Sequence, residues 1–331
     1  MGIKNLSSLI QIYAPNSIKK IHFDDLNGKK IAIDASLLIY SYVIAIRNTS
    51  EDLTNVDGEI TSHIHAVVSK TLLYLDNGIT PIFVFDGKPP VLKNDTLDKR
   101  KEVRETAKKL FLEENNEEKK IKLFKKSTII TWKQMDQCKE ILRAMGIPVV
   151  EAPEESDSQC ANLCKENIAY GVGSEDMDIL TFGSNKLLRN ISSSRKNEII
   201  EYDLNKILNE LNYTQQEFID LCILLGCDYV NHIDGIGVKR AKDIIDEYRS
   251  IDNFLEKSNE IKNKKYEVDN DYIDKVNKAR NYFLNGPSII YTNNQLKLGS
   301  LDQKKIKELL INKYSYSKIK VDKIIKKIID A

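Results

Sequence analysis

Ile79-Thr80-Pro81-Ile82-Phe83-Val84-Phe85-Asp86-Gly87 is an apolar run that ends on a carboxylate and a glycine. A short apolar stretch bounded by turn residues has the signature of a strand buried on both faces. Lys30-Ile31-Ala32-Ile33-Asp34 repeats the arrangement upstream, after the turn Asn27-Gly28. Between the two runs the spacing predicts helices over Leu37 to Ile46 and Ser62 to Asp76, the second stopping at the C-cap signal Asn77-Gly78. Strands alternating with helices predict an α/β fold with a mostly parallel central sheet flanked by helices.

Between Pro90 and Ile130 the character changes to two exposed, highly charged helices joined by a turn at Asn115-Asn116. The α/β pattern then resumes with a helix over Gln134 to Met145, a strand over Ile147 to Val150 and a helix after Pro153. Gly171-Val172-Gly173-Ser174 leads into another short strand, and Leu187 to Arg189 with Glu198 to Tyr202 read as a hairpin. From Asp203 onward the pattern is mainly helical, with the bend Asp234-Gly235-Ile236-Gly237 between two helices. There is no internal repeat and no low-complexity tract.

Composition narrows the function classes. Of 331 residues 41% are hydrophobic and 30% charged, the balance of a folded globular protein. No run reaches the roughly 18 apolar residues of a membrane span. The start Met1-Gly2-Ile3-Lys4-Asn5-Leu6 has neither a signal-peptide core nor a myristoylation pattern, so an intracellular, membrane-free protein is expected. In a cellular eukaryote it would be nuclear; Lys, Asn and Ile richness points to an AT-rich genome, cellular or viral. Five cysteines without a CxxC pair and four scattered histidines argue against zinc, disulfides and histidine catalysis. Net charge is only +1, but twelve basic and eight acidic residues crowd Lys93 to Lys126, and the chain from Leu301 is Lys-rich. For a nucleic-acid ligand, distribution matters more than the sum.

Asp34 and Asp86 each end a predicted strand, and the carboxyl ends of parallel strands are where such sheets bind ligands. Glu155 and Asp157 follow the next strand, Asp176 and Asp178 the one after, and Asp228 ends the apolar helix Phe218 to Leu225. Single acids in these places are commonly turn residues or helix caps; seven in the same structural context point to a shared site. Clustered carboxylates raise one another's pKa, and divalent cations supply the missing positive charge. All-oxygen ligands select Mg²⁺, with Mn²⁺ as a substitute, over zinc. Two such ions would activate a water and stabilise a leaving oxygen in phosphoryl displacement. Asp176 and Asp178 would point the same way along an extended segment, whereas Glu155 and Asp157 can share a site only if Glu155 lies at or before the helix's first turn.

These residues, with Val84-Phe85-Asp86-Gly87-Lys88-Pro89-Pro90, Glu151-Ala152-Pro153-Glu154-Glu155-Ser156-Asp157, Glu175-Asp176-Met177-Asp178 and Leu224-Leu225-Gly226-Cys227-Asp228-Tyr229, resemble the flap endonucleases of the XPG-type structure-specific 5′ nucleases. The likeness runs in order from Met1 to about Tyr248. It implies a PIN-like nuclease core with a helical arch and a helix–turn–helix hairpin. The regions would be 1–104 (N-terminal nuclease), 91–133 (arch), 134–250 (internal nuclease, with the hairpin at 218–250) and 251–331 (C-terminal helical segment). It implies metal ligation by Asp34, Asp86, Glu155, Asp157, Asp176, Asp178 and Asp228, and scissile-phosphate contacts from Lys93 and Arg100. Arg100, Arg104 and Lys108 share one face of a helix at i, i+4 spacing, and Tyr40 resembles the family tyrosine on which a nucleotide stacks. Gly235-Ile236-Gly237-Val238-Lys239-Arg240 resembles the duplex-gripping hairpin, whose loop over 232–237 would hold K⁺.

Two departures stand out. Asp234 and Val238 occupy places where relatives commonly carry a basic residue and Pro, and no sliding-clamp peptide follows Gln295-Leu296-Lys297-Leu298. The clamp is therefore either no partner or engaged elsewhere, and a monomer on branched DNA is expected. The expected activity is cleavage of 5′ flaps, with 5′-to-3′ exonuclease activity, in DNA replication and repair. The alternatives are a catalytically silent branched-DNA-binding module and a 5′-exoribonuclease.

Overall fold

A computed structural model describes residues 2–47, 52–191, 198–260, 268 and 271–330. Its centre is a seven-stranded sheet of β1 (Ile18–Ile21), β2 (Lys30–Asp34), β3 (Thr80–Phe85), β4 (Val149–Glu151), β5 (Gly171–Gly173), β6 (Lys186–Arg189) and β7 (Ile199–Asp203). The spatial order is β1-β7-β6-β5-β2-β3-β4. The five strands from β6 to β4 run parallel, while β7 and β1 are added antiparallel. The apolar runs therefore became the central strands. Pro81, which has no N–H to give, sits ahead of the β3–β4 pairing that begins at Phe83. β1 closes one edge, and its exposed Lys19 and Lys20 discourage further strand addition.

Side-chain alternation along the strands divides the core into two layers. Ala32, Ile82, Val84, Val150, Val172 and Leu187 meet the helices Leu6–Tyr13, Ser156–Lys165 and Gln215–Leu225 on one face. Ile31, Ile33, Phe83, Phe85 and Leu188 meet Ala35–Ile46, Ser62–Leu75 and Trp132–Ala144 on the other. The residues after 250 divide between these faces. Val276, Ala279 and Phe283 of the helix Tyr272–Asn285 join the first layer, and Ile306, Leu310, Val321 and Ile324 join the second.

Several boundaries differ from expectation. The strand expected over Ile147 to Val150 is Val149–Glu151, because Ile147 still closes the preceding helix by donating its N–H to the Leu142 carbonyl. Gly171–Gly173 is itself a strand, and the next element is the short helix Asp178–Thr181. Asp176 and Asp178 are thus not on an extended segment; the Asp178 N–H donates to Asp176 Oδ1 at 3.0 Å across a turn. Asp228 lies beyond the helix Gln215–Leu225, which Gly226 ends at φ 106°. The highly charged segment is two helices, Asn94–Glu113 and Glu117–Lys126.

One buried ion pair ties the later helices to the core. Arg280 donates from Nε to Asp220 Oδ1 at 2.6 Å and from Nη2 to Asp220 Oδ2 at 2.7 Å, and it also pairs with Asp252. Burial raises the Asp220 pKa even though Arg280 opposes the shift. Removing the guanidinium would leave that carboxylate buried and uncompensated. Arg280→Ala should therefore cost about 3–5 kcal/mol in urea unfolding; an unchanged midpoint would show the pair to be dispensable.

Candidate active site

The carboxyl ends of β2, β3, β4 and β5 open into a cavity of about 520 Å³. Strand order reverses direction at β2, with β3 on one side and β5 on the other, the switch point at which open α/β sheets place their ligands. Asp34, Asp86, Glu155, Asp157, Asp176 and Asp228 line the cavity, and Asp178 is buried beside Asp176. All seven expected carboxylates thus gather at one end of the sheet.

Each is placed by a local device. Asp34 caps the helix Ala35–Ile46, accepting from the Leu37 N–H at 3.1 Å. Asp86 accepts the Ser156 N–H at 2.8 Å, while Ser156 Oγ donates to Asp34 Oδ1 at 3.3 Å. One serine therefore sets the spacing of the first two acids. Ser174 Oγ donates to Asp34 Oδ2 at 3.2 Å. Glu155 is the extended N-cap of the helix Ser156–Lys165 and Asp157 lies in its first turn, the placement needed for both to face one site. Gly87 passes so near the next loop that a Cβ there would fall 2.1 Å from the Ala152 carbonyl oxygen. Gly2, at φ 79°, lies against Asp176 and Asp178, and the Ile3 N–H donates to Asp178 Oδ1 at 2.7 Å.

Basic residues from the helix Asn94–Glu113 and its approach answer the acids. Lys93 pairs with Glu155, whose other oxygen accepts the Tyr229 hydroxyl, and lies 3.3 Å from Asp228. Arg100 Nη2 donates to both Asp228 oxygens at 2.9 and 2.8 Å. Thr96 Oγ1 donates to the Asp228 carbonyl at 2.8 Å and fastens the same helix to the loop after residue 225. As these side chains stand, no three acids of the described residues converge on a single point; Lys93 and Arg100 take up Glu155 and Asp228.

The electrostatics are those of a site short of positive charge. Burial, then the charge of Asp86, pushes the Asp34 pKa up to about 7. Burial first and Asp176 second raise Asp157 and Asp178 well above the carboxylate range. Burial alone would lower the Lys93 pKa, but Glu155, Asp228 and Asp157 raise it. Asp157 Oδ1 is buried without a hydrogen-bond partner. Buried hard oxygens, one of them orphaned, in a pocket that resists ionisation fit a divalent cation of the Mg²⁺ kind.

Tyr40, Lys93, Arg100 and Arg104 line the same cavity, so four of the expected DNA contacts adjoin the acids. Gly235, Gly237, Lys239 and Arg240 lie away from it, at the start of the helix Val238–Tyr248. Gly235 has φ 83°, a conformation that favours glycine, whereas Gly237 is extended and needs no such freedom. A Cβ on Gly237 would meet nothing within 4 Å, so this backbone is open to a ligand. Sequence reading missed Ser156, Ser174, Thr96, Tyr229 and Gly2. Ser156 and Tyr229 sit inside the quoted motifs, but their roles depend on long-range hydrogen bonds.

The raised carboxyl pKa values make stability fall with pH. Between the ordinary value of 3.8 and about 7, unfolded Asp34 has lost its proton while folded Asp34 keeps it. The unfolded state then binds fewer protons, so stability declines as pH rises through this window. The chelator-treated protein should melt lower at about pH 8 than at about pH 5, and Asp157→Asn should raise the melting midpoint at about pH 8 by on the order of 2 °C. A variant that melts lower would mean that the Asp157 charge is already compensated.

Residues 1–107 match the family model of the XPG N-terminal domain and residues 146–228 that of the XPG I-region. The chain is 43% identical to Flap endonuclease 1 of Glycine max over 336 residues, covering 99% of this chain and 86% of the relative. It is 39% identical to Flap endonuclease 1 of Theileria annulata, spanning 99% of this chain but 64% of that longer protein. Among solved structures, the flap endonuclease-1 of Methanococcus jannaschii superimposes with a TM-score of 0.72 at 30% identity, covering 95% of each chain. The catalytic core of Rad2 in complex with DNA substrate superimposes with a TM-score of 0.76 at 25% identity, covering 99% of this chain and all of that one. Matching family domains, relatives along nearly the whole chain and a shared fold lead to one assignment: the chain belongs to the flap endonuclease family of XPG-type nucleases.

Proposed function

We propose that this protein is a structure-specific DNA endonuclease that cuts 5′ flaps and related branched duplexes in replication and repair, with 5′-to-3′ exonuclease activity. The observation that carries this reading is the pairing of a buried carboxylate rim with Arg100, on the helix that borders it, and Lys93, just ahead of that helix. Asp34, Asp86, Glu155, Asp157, Asp176, Asp178 and Asp228 would hold two Mg²⁺ or Mn²⁺ ions, which when bound supply activation of water and neutralisation of the leaving oxygen.

The chain's own residues prepare that chemistry. Ser156 and Ser174 fix the Asp34 carboxylate, and Ser156 fixes Asp86 through its N–H. Lys93 and Arg100, already facing anionic oxygens, would transfer to the scissile phosphate and stabilise the charge that develops on it. Tyr40 would stack on a neighbouring nucleotide. The open backbone at Gly237, with Gly235, Lys239 and Arg240, would hold the duplex by its phosphates, and the loop over 232–237 would take K⁺. Recognition of this kind reads shape, and its affinity falls with salt. The arch over 91–133 would receive the single-stranded arm, while 1–104 and 134–250 would form the nuclease core and 251–331 its helical completion.

Labelled double-flap DNA with Mg²⁺ tests the proposal. The expected product maps to the base of the 5′ arm and disappears with EDTA. Asp178→Asn keeps an acceptor for the Ile3 N–H but removes the charge; it should bind flap DNA normally and cleave at least about 100-fold more slowly. Arg100→Ala should slow the single-turnover step by about 100-fold. Tight binding without cleavage would favour the silent module, and preferential degradation of unbranched single-stranded RNA would favour an exoribonuclease.

A further inference from the structure

The chain contains one tryptophan, Trp132, at the first position of the helix Trp132–Ala144. It is 62% exposed. Among the described residues its indole takes part in no ring stacking, no cation–π contact and no side-chain hydrogen bond. The same cavity that holds the acids has Trp132 in its wall, with Tyr40, Arg100, Arg104 and the exposed Ile129. A second groove of about 610 Å³ shares Tyr40, Arg100 and Arg104 and continues along Lys122, Lys125 and Lys126.

An aromatic ring of this size forgoes a large burial gain when left in water, and among the described residues most of it stays uncovered. Its surroundings limit what could. The acids exclude a second anionic partner from the floor, while the cationic wall favours phosphates. A ligand that offers phosphates to the cations and a flat apolar face to the indole is a single-stranded nucleic acid, for which cations interleaved with aromatics form the usual channel. Duplex offers its bases only stacked on one another, so its faces are closed to such a ring.

We propose that Trp132 is a stacking platform for an unpaired base of the 5′ arm next to the cutting site. It would orient the arm without reading its sequence, since every base has a π-face. The inference rests on the proposed flap-cleaving function and goes beyond it in naming a second aromatic contact besides Tyr40.

Because Trp132 is the only tryptophan, its emission reports on this position alone. The full chain in EDTA would be titrated with a double-flap DNA bearing a 5′ arm, and with the same duplex lacking the arm. Binding would be followed in parallel by the anisotropy of a label on the duplex end. We expect emission to be quenched by the armed DNA and unchanged by the armless duplex. W132A should bind the armed DNA about ten-fold more weakly and the armless duplex as before, while W132F retains most of the affinity. Armed DNA that binds without moving the emission would overturn the inference and leave the proposed function standing. Equal quenching by the armless duplex, or a W132A affinity equal to wild type, would do the same. Failure of flap DNA to bind at all would overturn both.

Discussion

Mutual repulsion among buried carboxylates at the carboxyl end of a parallel sheet is the constraint on which the rest of this structure depends. Four strand ends deliver Asp34, Asp86, Glu155 with Asp157, and Asp176 with Asp178 to one cavity, and a fifth acid group arrives from the loop after residue 225. Burial and proximity both favour protonation there, and the fold holds the acids in place against that tendency. It does so with local donors: the Leu37, Ser156 and Ile3 N–H groups and the hydroxyls of Ser156, Ser174 and Tyr229. Such groups orient a carboxylate without neutralising it, which keeps the site attractive to cations.

The two exposed helices acquire their meaning from the same constraint. Fewer apolar residues than a packed helix needs leave the helix Asn94–Glu113 weakly anchored by burial, with Ala107 its one buried side chain. Its first turns are held by polar contacts: Arg100 and Thr96 to Asp228, and Lys93, just ahead of it, to Glu155. The groups that attach this helix to the core are therefore the ones that a phosphate would compete for. A phosphate that drew on Lys93 and Arg100 would therefore also act on the position of this helix.

Much of this was legible in the sequence. Continuous apolar runs ending in Asp34 and Asp86, short and bounded by turn residues, identify central strands, since strands buried on both faces read that way. Their shared register in a parallel pair, Asp34 opposite Val84, then places both acids on the same rim. A place for Glu155 at or before the first turn of the helix after Pro153 is what sharing a site with Asp157 requires, and it stands there as the N-cap. Contacts distant in the chain account for the features that stayed hidden. Lys19 and Lys20 in Ile18–Ile21 mask an edge strand that exists only because β7 lies beside it. The turn between Asp176 and Asp178 looks extended in one dimension, and the Ser156 bridge between Asp34 and Asp86 has no periodicity to betray it. Of the two hairpin glycines, only Gly235 needs the conformational freedom that the motif suggests for both.

The division of the last eighty residues between the two faces of the sheet has a consequence for how the protein is made. Phe283 and its neighbours close one layer, whereas Val321, Ile324 and Ile325 close the other, and Gln159, wholly buried, exchanges hydrogen bonds with the Ile289 backbone. A nascent chain that already carries every acid of the rim still lacks the side chains that seal both layers. At a synthesis rate of about 5–20 residues per second, that interval lasts several seconds, during which apolar strand faces stay uncovered. Until the last helices dock, the two faces of the sheet that carries the acids lack part of their apolar cover.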